Sequence, residues 1–217
     1  MMKVKIEAIH DLVCSWCPIG RSNLKAALKI LDKQIVVEIQ YLPFELNPEM
    51  SSEGETIEAH LMRRNGWTKE QFIHYRTDLV DVAKEAGLIY DYSKRTHYYN
   101  TAKAHRLVHF AQAFQKQGAV VDALTEQYFT QGVNLSEDEN LLGIATSVGL
   151  DRELAEWALS SAEVADISEN IQHKYERVRR LGVGSVPAFI INGTELVLGA
   201  NSVDYFVRYF TQLAKIS

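Results

Sequence analysis

The spacing of apolar residues changes period twice along this chain, from that of a strand to that of a helix and back, and the changes divide it into segments. Val4-Lys5-Ile6-Glu7-Ala8-Ile9 alternates apolar and polar positions, the pattern of a short, partly buried strand. Leu24, Ala27, Leu28 and Leu31 then recur at helical spacing. Ile35-Val36-Val37-Glu38-Ile39-Gln40-Tyr41 is β-branched and alternating, so a second strand is predicted over Gln34 to Tyr41, closed by Pro43 and Pro48.

Between about Thr56 and Leu181 strand signals disappear and helical periodicity takes over. The predicted helices run Ile57 to Asn65, Lys69 to Ala86, Thr101 to Gln117, Ala119 to Gln131, Glu137 to Val148, Arg152 to Leu159 and Ala162 to Leu181. Gly66, Gly87, Gly118, Gly132 and Gly149 fall at the ends of five of them, where a left-handed C-terminal cap is wanted. Thr68 and Asp151 read as N-caps, and Ser136 with Glu139 has the form of a capping box.

Strands return only near the C-terminus. Ala188-Phe189-Ile190-Ile191 and Glu195-Leu196-Val197-Leu198 flank Asn192-Gly193, a strong hairpin signal, and a last helix, Val203 to Lys215, follows a Ser202 cap. The order is strand, helix, strand, helical block, hairpin, helix. It predicts an α/β core, residues 1–55 and 182–217, interrupted by an all-helical insertion domain over residues 56–181.

Composition adds exclusions. With 217 residues, 47% hydrophobic and 24% charged, the chain buries a core without staples and has the make-up of an ordinary globular protein. A net charge of −5 with mixed signs and no Lys/Arg-rich run leaves no electrostatic footprint for nucleic acid or an anionic membrane. Arg177, Arg179 and Arg180, the densest basic cluster, read as a solvated helix end. No window approaches the length of an apolar span and the N-terminus lacks an apolar leader, so the expected location is the cytoplasm.

The chemistry concentrates where the first strand meets the first helix, in Asp11-Leu12-Val13-Cys14-Ser15-Trp16-Cys17-Pro18, which holds both of the chain's 2 cysteines. Pro18 is tolerable only in a first helical turn and so fixes the helix start close to the cysteines. The free N–H groups and positive dipole end of that helix then favour the Cys14 thiolate and a lowered Cys14 pKa. A bridge closing so small a loop is a poor staple, and zinc would want four ligands where no second Cys or His pair at finger spacing exists. His105 and His109 lie on one helix face without a metalloprotease Glu, so no metal is expected. In a reducing compartment a lone Cys-x-x-Cys is a redox pair.

The chain is similar to thioredoxin-fold oxidoreductases of the DsbA family, most of all to its FrnE-like branch. The resemblance rests on Asp11-Leu-Val-Cys14-Ser-Trp-Cys17-Pro-Ile-Gly20, Asn100-Thr-Ala-Lys-Ala-His105-Arg106-Leu107, Ala123-Leu-Thr-Glu-Gln-Tyr128-Phe129-Thr-Gln-Gly132, and Gly182-Val-Gly184-Ser-Val186-Pro187-Ala-Phe189 with Gly199-Ala200. It implies a thioredoxin-like fold with an inserted all-helical domain, Cys14 as exposed attacking sulfur, Cys17 as buried resolving sulfur, and a cis peptide between Val186 and Pro187. It further implies a mixed-disulfide mechanism on protein or small-molecule disulfides, no cofactor beyond the Cys14–Cys17 disulfide itself, and glutathione as a candidate co-substrate. Trp16, between the sulfurs, is expected to be exposed for substrate, with Val186 and Pro187 beside it. Where relatives often hold a buried acid, six residues before Cys14, this chain has Ala8. Asp11 and His10 are then candidate proton acceptors for Cys17 through water, or simply caps of the strand-to-helix turn. Ser15, Asp11, Asn100, His105 and Arg106 are secondary site candidates.

Two rivals stand beside this reading. Asn100 and His105-Arg106 belong to a motif shared with 2-hydroxychromene-2-carboxylate isomerase and kappa-class glutathione transferase, which bind glutathione with Ser at the first cysteine position. Cys14 with Cys17 intact favours redox turnover instead. A peptide-binding, chaperone-like module is the other, resting on the aromatic-rich stretch with Trp67, Phe72, Tyr75, Tyr90, Tyr92, Tyr98 and Tyr99. A contiguous exposed aromatic patch would mark it.

Overall fold

Alternation at the N-terminus builds β1 (Met2–His10), the central strand of a four-stranded mixed sheet, in a computed structural model that describes residues 1–32, 34–160 and 165–216. β1 pairs in parallel with β2 (Ile35–Pro43), from Met2 opposite Ile35 to His10 opposite Pro43. On its other side it pairs antiparallel with a strand near the C-terminus, Ala188–Ile191. The parallel β1–β2 pair needs a crossover, which α1 (Trp16–Ile30) supplies.

The insertion begins with a two-residue strand, β3 (Glu55–Thr56), which pairs with β4 (His97–Tyr98). Between them lie α2 (Ile57–Asn65) and α3 (Lys69–Glu85). After them come α4 (Ala102–Phe110), a short 3-10 turn Ala111–Phe114, α5 (Gln117–Gln131), α6 (Asp138–Ser147), α7 (Arg152–Ser160) and α8 (Ala165–Arg180). The chain then closes with β5 (Ala188–Ile191), β6 (Glu195–Leu198) and α9 (Val203–Ile216), giving the sheet order β2-β1-β5-β6. This is a thioredoxin-like α/β fold with a helical insertion. The chain divides into two compact units, Met1–Phe44 with Lys174–Ser217, and Glu45–His173.

In the first unit both sheet faces are covered, which is why β5 is buried along its whole length. On one face Ile9, Leu42, Ala188 and Ile190 pack with Val178 and Val183, half-buried Phe44 and Val186 adding to the cluster. On the other, Phe189 meets Phe206 of α9 edge-on at 5.5 Å, and α9 packs beside α1.

Four expectations change at this level. The insertion is not purely helical, because β3 and β4 pair Glu55 with Tyr98 and Thr56 with His97. The helix expected over Thr101 to Gln117 ends at Phe110 and tightens into the 3-10 turn, and Gln115 rather than Gly118 takes the left-handed conformation, with φ 57°. Gly118 lies inside α5, whereas Gly66, Gly87, Gly132 and Gly149 do have positive φ. The capping box at Ser136 does not form: the N-cap position of α6 is Glu137, whose side chain makes no cap, and the Ser136 hydroxyl lies within hydrogen-bond distance of both Ser52 O and Asn134 Oδ1. Thr68 forms a full box with Gln71 instead, and Asp151 and Ser202 accept from Leu154 N–H and Tyr205 N–H as N-caps should. Arg177 is more than a solvated helix end, since its guanidinium pairs with the buried Glu7 at 2.6 Å. The predicted start of the last insertion helix at Ala162 lies outside the described residues.

Candidate active site

The end of β1 and the start of α1 set the two sulfurs. After His10 the chain turns, with Cys14 N–H donating to Asp11 O at 3.3 Å and Cys17 N–H to Cys14 O at 3.3 Å. Ser15 precedes α1 in helical geometry, with φ −66° and ψ −26°, and its side chain does not cap the helix. No acidic residue sits in the first turn of α1, so nothing on the helix itself offsets its positive end beside Cys14.

Both cysteines are free thiols and both are buried, Cys14 at 5% and Cys17 at 3% relative exposure. The expectation of an exposed Cys14 is thereby corrected. Its thiol donates to Val186 O, in the turn that leads into β5, at 3.6 Å. The Val186–Pro187 peptide is cis, Pro187 is buried, Val186 half-buried, and Pro187 O accepts from Gly199 N–H at 2.8 Å. Trp16 behaves otherwise and stands out at 39% exposure between the two sulfurs.

Cys17 holds its proton tightly. Burial is the chief cause, followed by its hydrogen bond to the Cys14 sulfur and the charge of Cys14, and together these push its pKa well above the ordinary 9.0. Asp11 acts on the same thiol in two opposed ways: a backbone hydrogen bond from Asp11 lowers the pKa, and the carboxylate charge raises it. Asp11 is only 1% exposed, and Val13 N–H reaches its Oδ1 at 3.5 Å, so the residue both shapes the turn and places a negative charge near Cys17. His10 is buried beside Tyr41, their rings 5.2 Å apart and edge-on. Ala8 is buried where relatives are expected to carry an acid, and the acid next to it, Glu7, is taken up by Arg177.

Sequence reasoning quoted Gly20 within a motif without assigning it a task. A β-carbon there would come within 2.9 Å of Pro187 Cγ and 3.1 Å of Ala200 Cα, so its absence lets α1 sit directly on the Pro187 turn. Asn23, one turn further on, ties the same helix to that region by donating to Asn201 O at 3.0 Å. A glycine inside an otherwise helical run is the signal that marks such a close approach.

The remaining candidates belong to the other unit. Asn100 is a clasp: its amide donates to Pro48 O and Met50 O at 3.3 and 3.1 Å, and its Oδ1 accepts from Ala102 N–H at 2.9 Å. His105 is buried and Arg106 half-buried on α4. The aromatic stretch presents no fully exposed ring. Phe72, Tyr90 and Tyr98 are buried, and Trp67, Tyr75, Tyr92 and Tyr99 are half-buried, so these seven form no exposed patch. The chaperone-like reading loses the feature it needed.

Comparison with known proteins agrees with this geometry. The profile of the DSBA-like thioredoxin domain family matches residues 5–211. The uncharacterised protein YwbO of Bacillus subtilis (strain 168) is 26% identical over 208 residues, 95% of this chain and 96% of its own. A probable DsbA oxidoreductase from Streptomyces coelicolor superposes with a TM-score of 0.89 at 26% identity, over 96% of this chain and 89% of that one. The cytosolic disulfide reductase DsbM from Pseudomonas aeruginosa, solved with GSH, superposes with a TM-score of 0.67 at 18% identity, over 96% of this chain and 98% of that one, a likeness of fold.

Proposed function

The chain belongs to the DSBA-like thioredoxin domain family, and on that footing we propose that it is a thiol-disulfide oxidoreductase working through Cys14 and Cys17. Support comes from one contact above all, the Cys14 sulfur held 3.6 Å from Val186 O at the start of α1. That contact puts the sulfur beside a main-chain segment whose neighbour, Pro187, has no N–H, next to the exposed indole of Trp16.

In the proposed cycle the Cys14 thiolate attacks one sulfur of a protein or small-molecule disulfide. A Cys14–substrate disulfide forms, and the displaced sulfur leaves as a thiolate that takes a proton from water. Cys17 then gives its proton to the Asp11 carboxylate and attacks the Cys14 sulfur. The Cys14–Cys17 disulfide forms, the second substrate sulfur departs as thiolate, and two electrons have passed from the protein to the substrate. Two equivalents of a small thiol reverse the oxidation, and glutathione is the partner we propose, in the cytoplasm. The Pseudomonas aeruginosa neighbour, a cytosolic disulfide reductase solved with GSH, lends support to both points. Trp16 and the Val186 main chain would contact the substrate.

The roles are separable by substitution. Cys14→Ser is expected to abolish disulfide turnover, and Cys17→Ala to leave Cys14 able to form mixed disulfides that persist on non-reducing gels and by mass. Equal residual turnover in both variants would overturn the division of labour. Full turnover of a glutathione adduct by Cys17→Ala would point to a glutathione-dependent isomerase or transferase in its place.

A further inference from the structure

The insertion unit carries a cavity of about 700 Å3 far from either cysteine in sequence. Its walls come from Thr56 and α2 (Ile57, Glu58, Ala59, Met62), from α3 (Phe72, Arg76) and from the loop with Tyr92, Arg95 and Thr96. Its volume is that of a small-molecule site, and its lining sets the apolar Ile57, Ala59, Met62 and Phe72 among polar side chains that include Glu58, Arg76, Tyr92 and Arg95.

Two of those polar groups are unengaged. Arg76 makes no ion pair or hydrogen bond among the described residues; its guanidinium carbon lies 5.8 Å from the ring centroids of both Phe72 and Tyr92, a placement that fixes the head group without neutralising it. The Tyr92 hydroxyl likewise has no hydrogen-bond partner among the described residues, and Tyr92 and Arg76 also wall a second cavity of about 380 Å3. The Tyr92 ring is in turn held by Arg95, fully buried at 0% exposure, whose guanidinium lies 5.1 Å from Tyr92, 4.3 Å from Phe129, 4.8 Å from Tyr128 and 5.6 Å from Tyr98. The one acid on the cavity wall, Glu58, has Lys69 at 3.4 Å. The wall is therefore net positive, and a fork-shaped donor and a phenol share it with the apolar residues Ile57, Met62 and Phe72.

We propose that this cavity binds a small organic monocarboxylate with an apolar or aromatic tail, its carboxylate on Arg76 and Tyr92 and its tail against Ile57, Met62 and Phe72. The planar guanidinium matches a carboxylate in two parallel hydrogen bonds. A single unpaired guanidinium beside apolar residues suits one negative charge better than a phosphate, which would leave several oxygens against hydrocarbon. The lining residues all belong to the unit Glu45–His173, and binding there does not require the thiol chemistry.

Met62 lines the cavity and Met50 does not, which supplies an internal reporter. With methyl-13C-methionine protein, titration with 3-phenylpropionate is expected to move the Met62 methyl resonance saturably and leave Met50 still. The neutral 3-phenylpropanamide and the Arg76→Gln variant should each bind at least about tenfold more weakly, with Arg76→Lys between them because it keeps the charge and loses the fork. Circular dichroism of Arg76→Gln, a half-buried surface position, verifies that the fold is kept. No saturable Met62 shift, equal binding of the amide, unchanged affinity in Arg76→Gln, or displacement by inorganic phosphate at equal concentration would each overturn the proposal.

Discussion

Gly20 lies against the ring of Pro187 so closely that a β-carbon would stand 2.9 Å from Cγ, with the Ala200 backbone 3.1 Å away. Neither neighbour is the far end of a flexible side chain, so neither yields cheaply. Gly20→Ala gains about 1 kcal/mol of helix propensity and loses about 1–3 kcal/mol to overpacking. The expected outcome is a variant that melts lower and exchanges disulfides more slowly, because α1 and the Pro187 turn together hold Cys14 against Val186. Unchanged melting with unchanged exchange would mean that the turn gives way without disturbing the sulfur.

The elements around that contact were legible because their signals are local: alternation for β1, Asn-Gly for the hairpin, Pro18 for the start of α1. What escaped depends on distant partners. Ser136 reads as a cap, yet its hydroxyl is engaged by Ser52, far away in sequence. Gln115 takes the left-handed turn expected of Gly118, because α4 runs out into a 3-10 turn first. The burial of Cys14 has no local signal either; Val186 beside it came from the resemblance and not from any spacing near the cysteines. Arg95, with four aromatic rings around it, looks in sequence like any loop arginine.

Arg95 accordingly makes the stability of the insertion unit sensitive to one loop residue. Its guanidinium is fully buried among Tyr92, Tyr98, Tyr128 and Phe129, and truncation leaves both a cavity and unfilled ring faces. Arg95→Ala is expected to cost about 3–5 kcal/mol, the range for deleting a large buried side chain, read as a lower urea midpoint. Arg95→Met, which keeps most of the volume, should lose less. Equal losses in the two would assign the whole effect to charge rather than packing.

Cys17 gives the dithiol form a dependence on alkaline pH. Burial, the Cys14 hydrogen bond and the nearby charges raise its pKa well above the ordinary 9.0, so the folded protein binds this proton more tightly than the unfolded chain. The stability so contributed is intact below pH 9.0 and is lost as pH rises through the elevated value. A Cys14–Cys17 disulfide has no proton there. Melting curves should therefore show the reduced protein declining above pH 9.0 more steeply than the oxidised one. Parallel declines would place the effect in other alkaline groups.

Asp11 stands in two relations to Cys17 that one substitution pulls apart. Its carboxylate charge raises the thiol pKa, and in the proposed cycle the same carboxylate accepts the thiol proton when Cys17 attacks. Asp11→Asn keeps the shape and the backbone hydrogen bond while removing the charge. In a Cys14→Ser background the Cys17 thiol should then titrate at lower pH, seen by thiolate absorbance. With both cysteines present, release of substrate thiol from a preformed Cys14 mixed disulfide should nevertheless slow at neutral pH by about 10²-fold, the usual loss of a general base. The rate should climb steadily with pH, because hydroxide must do what the carboxylate did. A more acidic thiol that resolves more slowly is a combination that neither a purely structural Asp11 nor a purely electrostatic one produces. A variant that resolves as fast as the parent, with the same pH profile, would reduce Asp11 to a residue that shapes the turn between β1 and α1.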